Sequence, residues 1–231
     1  MYYTNKDIIR YEKGHYIPVR DKVIMEDEIE VICGKTRLGS YPCTNKERDL
    51  LALGLAYCNG YQVNANTPVV LEDNKVLLPE IAKRTQADCI ISDLRYDADD
   101  LLNRMQQLRD RPGLFALTGG THNGALIYQG ELTACTEDIS RHCMLDKLIG
   151  VVLKNGWDFS KIAILLSCRV SESIMRKLVA AGFPIAVSMS AVTDKAIEIA
   201  NERGMTLAGF ARGNRMNIYA GDRIGKGEKC D

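Results

Sequence analysis

The feature that most constrains the fold is a regular alternation of short apolar runs and amphipathic segments after residue 160. It predicts strand 162–167, helix 171–181, strand 184–189, helix 193–203, strand 206–210 and a last strand near 216–219. Strand and helix in turn specify a layered α/β domain whose strand ends face a common site.

The same domain begins earlier. A strand over 114–118, a hairpin over 124–136 turning at Gln129-Gly130, and a helix over about 140–154 with Leu145, Leu148, Ile149 and Val152 inward lead into it. Nearer the start, residues 21–33 read as strand and Gly34 to Gly39 as a turn. Thr44 and Glu47 then have capping-box spacing ahead of a helix bearing Leu51, Gly54, Leu55 and Cys58, stopped by Asn59-Gly60. Short strands are expected near 62–63 and 69–71. Periodicity fades over 79–96, the expected linker or mobile loop, before a helix at 97–109 and the break Arg111-Pro112-Gly113. The predicted division is a small N-terminal α+β domain (1–78), a linker and helix (79–112), the α/β domain (113–220) and a polar, frayed tail (221–231).

Thirty basic and thirty acidic residues leave no net charge, which excludes a generic grip on nucleic acid or an anionic membrane. The N-terminus has no signal-peptide core and runs such as 162–166 are too short to span a bilayer, so the expected location is cytoplasmic. Eight cysteines without a Cys-x-x-Cys pair read as reduced thiols.

Three segments put polar groups at a helix start directly after a strand or hairpin. They are Glu137 to His142, Ser167 to Ser171 and Ser188 to Thr193, and such ends favour phosphate. Ser140, Ser171 and Ser190 taken singly read as helix caps. Together, and with Arg141 and Arg169 among them, they point to a polyanion site. His142 and Asp146 lie four apart on one helix, so that the carboxylate is placed to orient and charge the imidazole. Thr118-Gly119-Gly120-Thr121-His122 adds a second histidine in a glycine turn. Phe210-Ala211-Arg212-Gly213-Asn214-Arg215 sets two arginines about a Gly-Asn turn, either a fork for phosphate or a guanine edge, or a solvated hairpin.

The layout resembles the cytidine deaminase-like fold, whose zinc ligands sit at comparable helix starts. Here Cys143-Met144 follows His142, and Ser167-Cys168-Arg169 has no second cysteine nearby, so no catalytic zinc or other metal site is expected.

In order, Leu117 to His122, Glu137 to Gly150, Ser190 to Thr193 and Leu207 to Arg212 resemble successive signatures of the formate dehydrogenase accessory protein family, FdhD. The similarity is continuous over about 113–220, with a weaker match over 23–60 that includes Tyr41-Pro42-Cys43 and Leu51-Ala52-Leu53-Gly54. The resemblance implies a two-domain homodimer that binds the bis-molybdopterin guanine dinucleotide form of the molybdenum cofactor, with GDP as a partial mimic. It implies sulfur transfer from a cysteine desulfurase to that cofactor for the formate dehydrogenase catalytic subunit. Phe210 to Arg215 falls on the family's cofactor-binding stretch, and Ser140 and Asn214 replace usual glycines, the first suited to a helix cap and the second to a left-handed turn conformation. The expected cofactor-binding set adds Thr121, His122, Arg141, His142, Arg169, Ser171, Ser190 and Thr193. The family's glycine-rich Cys-x-x-Cys loop corresponds to Gln86 to Ser92, where only Cys89 remains. Cys89 is therefore the candidate persulfide carrier, against the alternative of an inert cysteine in a short buried strand, and a non-catalytic cofactor chaperone is the rival function. A deaminase-like nucleotide enzyme using His122 or His142 as base is a more distant one.

Overall fold

The computed structural model describes residues 1–85 and 89–225. It opens with a ribbon that composition does not announce: β1 (Tyr3–Glu12) and β2 (His15–Ile24) pair antiparallel over ten residues each. Lys13 and Gly14 close it at φ 49° and 87°, the conformation a two-residue hairpin turn demands. β3 (Asp27–Cys33) and β4 (Thr36–Cys43) follow, then α1 (Arg48–Cys58), β5 (Val70–Leu71) and β6 (Lys75–Leu78), in a sheet of order β4-β3-β6-β5. β7 (Tyr96–Asp97) leads into α2 (Ala98–Asp110), where the Asp97 carboxylate accepts the amides of Asp99 and Asp100. A one-turn helix α3 (Leu114–Thr118) precedes the hairpin β8 (His122–Tyr128) and β9 (Glu131–Asp138).

The alternating part then runs α4 (Arg141–Asn155), β10 (Ile162–Leu166), α5 (Glu172–Ala181), β11 (Ile185–Ser188), α6 (Asp194–Arg203), β12 (Thr206–Arg212) and β13 (Arg215–Ala220). A short β14 (Ile224–Gly225) pairs with β7. The main sheet has order β13-β12-β11-β10-β8-β9, parallel from β10 to β12. Every residue of β10 is fully buried because the sheet is covered on both faces. Ile162, Ile164 and Leu166 join the cluster with α4 and α5, while Ala163 and Leu165 face Leu101, Met105 and Leu108 of α2.

The first cluster runs without a break into the N-terminal elements through Ile29, Val31, Leu51 and Leu55. α1 and α4 touch at glycines, since a methyl on Gly54 would strike the Asp146 carbonyl and one on Gly150 the Leu50 carbonyl. A buried ion pair reinforces the junction. Lys147 Nζ donates to Asp138 (2.6 Å) and to the Thr44 carbonyl (3.0 Å), and the Thr44 amide donates back to Asp138 (3.2 Å).

Several expectations need correcting. The strand expected over 21–33 is divided between β2 and β3, and the expected turn from Gly34 to Gly39 is confined to Gly34 and Lys35, with β4 beginning at Thr36. Residues 114–118 form a helix because the Glu137 carboxylate accepts the amides of Leu114 and Phe115 across 22–23 residues of chain, and Gly119 ends the turn at φ 67°. Thr44 and Glu47 make no capping box: the Thr44 hydroxyl accepts the Ile139 amide, and Glu47 is the left-handed residue before α1. The left-handed residue of the Gly213-Asn214 turn is Gly213 (φ 60°) and not Asn214. Ile224 is buried in β14, so the polar end is held at least to residue 225. The rest of that segment, with Cys230, lies outside the described residues.

Candidate functional site

The C-terminal ends of β10, β11 and β12 and the start of β8 surround a cavity of about 480 Å³. Its lining includes four of the expected residues, Thr121, His122, Ser190 and Arg212, together with Arg109, Phe115, Asn123, Ser167 and Met189. The two charged lining groups are both guanidinium ions.

Serines fix the loops that form it. The Ser190 hydroxyl donates to the Ser167 carbonyl (2.9 Å), its amide donates to the Ser188 hydroxyl (2.9 Å), and the Asn123 amide donates to the Ser167 hydroxyl (2.8 Å). Ser190 is therefore a loop tie and caps no helix. Thr193 is the cap of α6, accepting the Ala196 amide, and Ser140 caps α4 through the Cys143 amide.

Arg212 owes its place to a bulge. The register of β12 against β13 shifts between Gly209 and Arg212, and Phe210 sits at φ 52°, an uncommon conformation for a bulky residue, with its amide bonded to the Ser190 carbonyl (3.0 Å). The Arg212 guanidinium lies over the Phe210 ring at 5.8 Å. Ala211 is buried beneath, and Arg215 faces Arg212 across the exposed Gly213-Asn214 turn.

The remaining expected residues stand outside this lining. Arg141 lies at the start of α4, half-buried; burial lowers the pKa of both His122 and His142, and the Arg141 charge adds to it in both. Asp146 does not orient His142, contrary to expectation. It is fully buried and held by Lys177 at 2.5 and 2.7 Å, leaving His142 beside Ser173 (3.5 Å) and neutral, its pKa pushed down to about 4 by desolvation, then Lys177 and Arg141. Ser171 contacts Ser173 (3.1 Å), and Arg169 is exposed.

Of the buried side-chain polar atoms without a hydrogen-bond partner among the described residues, three lie at this end of the sheet: Thr121 Oγ1, Asn123 Oδ1 and Arg141 Nε. Two belong to the cavity lining. Native proteins rarely leave such groups unpaired, so the arrangement fits a polar ligand that completes them. Arg109 and Asn123 escaped the sequence reading because only the packing of α2 on the sheet brings Arg109 beside Arg212.

Cys89 is elsewhere. It is exposed, alone among the described thiols, and lies in the wall of a second cavity of about 710 Å³ with Tyr57, Arg84, Trp157, Phe159 and Ser160. Ser160 and Gly182 precede β10 and β11, whereas Ser167 and Met189 follow them, so the two cavities occupy opposite ends of the sheet. Five residues of β10 span about 17 Å between them. Ser92 is committed to structure, donating to the Ser160 carbonyl and accepting from the Leu94 amide. Ile90 is pinned by its amide to the Arg203 carbonyl (2.9 Å), and Gln86 to Asp88 lie outside the described residues.

Cys143 and Cys168 are buried, with thiols pushed up to about 12 and about 11 chiefly by desolvation, which removes them as nucleophiles. Among the described residues no three His, Cys, Asp or Glu side chains are grouped to hold a metal, and no helix is long and apolar enough to cross a membrane.

The FdhD/NarQ family profile matches residues 73–224. A sulfur carrier protein FdhD from Geobacillus kaustophilus is 38% identical, with 93% of this chain and 94% of that protein covered. The chain belongs to the FdhD/NarQ family. A sulfur carrier protein FdhD from Sulfolobus acidocaldarius is 40% identical over 130 residues, and there the match spans about half of that relative, 51%. In fold, the chain is similar to a putative formate dehydrogenase accessory protein from Desulfotalea psychrophila, at TM-score 0.86 and 19% identity over 97% of this chain and 100% of that one.

Proposed function

We propose that this FdhD/NarQ chain is a cytoplasmic sulfur carrier that binds the bis-molybdopterin guanine dinucleotide form of the molybdenum cofactor and loads sulfur for the formate dehydrogenase catalytic subunit. The observation that carries the binding half is the cationic cavity at the strand ends, with unpaired polar atoms of Thr121 and Asn123 in its lining. Arg109 and Arg212 would hold phosphate, and Ser190, Thr121 and Asn123 would meet the hydroxyl and base edges. The cofactor is cargo here, and GDP is its soluble mimic. In this reading residues 113–220 form a cytidine deaminase-like domain without catalytic zinc, residues 1–78 form the smaller α+β domain, and the chain works as a homodimer.

The sulfur half rests on Cys89. Its thiolate would attack the terminal sulfur of a persulfide on the cysteine desulfurase; the new S–S bond forms as the donor's S–S bond breaks, the donor cysteine leaves as thiolate, and the terminal proton stays on the transferred sulfur. Exposure beside an open cavity supports this access. Mass spectrometry of the chain after incubation with cysteine and a desulfurase tests it: one added sulfur on the peptide containing Cys89 is expected, and its absence removes the sulfur half.

A second reading keeps the cofactor site and drops the transfer, making the chain a carrier or chaperone. What favours it is separation: Cys89 stands at the far end of the sheet from the cationic cavity, and Ser92 holds the place of a second cysteine in a structural bond. Unmodified Cys89 with retained GDP binding is the outcome this reading requires.

A further inference from the structure

The one-turn helix α3 carries an aromatic ring that the core does not use. Leu114 is buried, whereas Phe115 beside it is 44% exposed. Among the described residues that line the cationic cavity, Phe115 supplies the one phenylalanine, tyrosine or tryptophan ring. A phenyl ring left in water forgoes the free energy that burial supplies.

Helix geometry turns this ring to the cavity. The Gly119 amide donates to the Phe115 carbonyl (2.7 Å) one turn away, so the two residues share a face of α3, and both line the cavity. Space beside the ring is open, since a methyl on Gly119 would meet nothing within 4 Å. The adjoining face is closed: Leu114 is buried, and the Thr118 hydroxyl donates to the Leu114 carbonyl (2.7 Å). A single helical turn does not persist in water unaided. Here the Glu137 carboxylate holds it, accepting the amides of Leu114 (2.8 Å) and Phe115 (2.9 Å). Gly113 makes room for that carboxylate, because a Cβ there would lie 2.5 and 2.7 Å from its two oxygens.

We infer that Phe115 is the base-stacking residue of the cavity and that Glu137 is the positioning residue that holds its ring there. The inference rests on the reading of this cavity as a guanine nucleotide site and deepens it. Arg109 and Arg212 take the phosphates, and the ring takes the face of the base. Guanidinium ions alone accept any polyanion of suitable spacing. The ring gives the cavity its preference for a polyanion that carries a base. Every base has a π-face, so stacking favours a nucleotide over bare phosphate without choosing strongly among bases.

Calorimetry of the full chain with GDP and with inorganic pyrophosphate separates ring from charge. Phe115→Ala should weaken GDP binding by about tenfold or more and leave pyrophosphate binding as it was, whereas Arg212→Ala should weaken both. Phe115→Trp should keep GDP affinity, and its added indole emission should be quenched by GDP but not by pyrophosphate. The native chain's one tryptophan, Trp157, lines the other cavity and gives the background signal. Glu137→Ala should cost GDP as much as Phe115→Ala does and nothing further in the Phe115→Ala chain. Glu137→Gln, which keeps an accepting oxygen, should fall between Glu137→Ala and the native chain. A native chain that binds no GDP, or binds it equally well after Arg109→Ala and after Arg212→Ala, overturns the nucleotide reading and the stacking with it. GDP held through the arginines but undiminished in Phe115→Ala overturns the stacking alone. So does an equal loss of pyrophosphate in that variant. A Glu137→Ala loss that adds to that of Phe115→Ala overturns the positioning role.

Discussion

The two ends of the central sheet are built from the same strands and differ in almost every chemical respect. The C-terminal end gathers Arg109, Arg212 and a neutral His122 in a cavity whose loops are tied by serine hydroxyls. The N-terminal end holds the exposed Cys89 among Tyr57, Trp157 and Phe159, with Arg84 stacked on Tyr57 at 3.8 Å and bonded to the Ala180 carbonyl. One end presents two guanidinium groups, and the other an exposed thiol in a largely apolar recess. Binding and sulfur handling should therefore fail separately when either end is altered, and together only when the scaffold between them is.

The largest expected effect is on the thiol. Cys89→Ala should abolish sulfur loading and activation of formate dehydrogenase while GDP affinity measured by calorimetry stays at the native value. Equal client activation by this variant would end the distinction in favour of a pure cofactor chaperone.

The scaffold comes next. Asp138 and Lys147 are both fully buried and paired, and removing one partner leaves an uncompensated charge. Asp138→Ala should cost about 3–5 kcal/mol in urea unfolding and should impair both ends at once. Loss of GDP binding at unchanged stability would instead give Asp138 a direct part in the cationic site.

Arg212→Ala is expected to weaken GDP binding by about 1.5–3 kcal/mol, and Arg109→Ala by a similar or smaller amount, as charge-assisted hydrogen bonds are lost. Persulfide loading of Cys89 should not change. If both single variants bind GDP as tightly as the native chain, the C-terminal end is not the nucleotide site.

These contrasts also show how far the sequence was legible. The alternating strands and helices after residue 160 could be read nearly to the residue, because β10 to β12 are buried on both faces and local pattern and global packing agree. α3 could not, since its cap is Glu137, a carboxylate brought in by the hairpin β8-β9. Nor could the pairing of Asp146, whose spacing points to His142 while the fold supplies Lys177 from α5. Of the candidate site, Ser190 was visible as a polar group after a strand, Thr121 and His122 as part of a glycine turn, and Arg212 beside a Gly-Asn turn, and the fold puts them after β11, at the start of β8 and at the end of β12, whereas Arg109 enters from a helix packed across the sheet face. The position of Cys89 at the other end depends on which way β10 runs relative to its neighbours, and a linear reading carries no such information.

The smallest effect concerns acid, and it should touch one end alone. His142 in the folded chain has a pKa of about 4, below the ordinary histidine value of 6.5, because burial and the charges of Lys177 and Arg141 disfavour its cation. Between those two pH values the unfolded chain binds a proton that the folded chain does not, so stability rises with pH across the window and is lost as pH falls from about 6.5 toward 4. His122, also lowered, adds in the same direction. After allowance for partial exposure the loss traceable to His142 should be of order 1 kcal/mol. Urea midpoints of the native chain and of His142→Asn, compared at pH 7 and pH 5, isolate it: the variant should lose less stability on acidification. An equal loss in both would mean that the imidazole is already solvated, and the start of α4 would then be as open to water as the recess around Cys89.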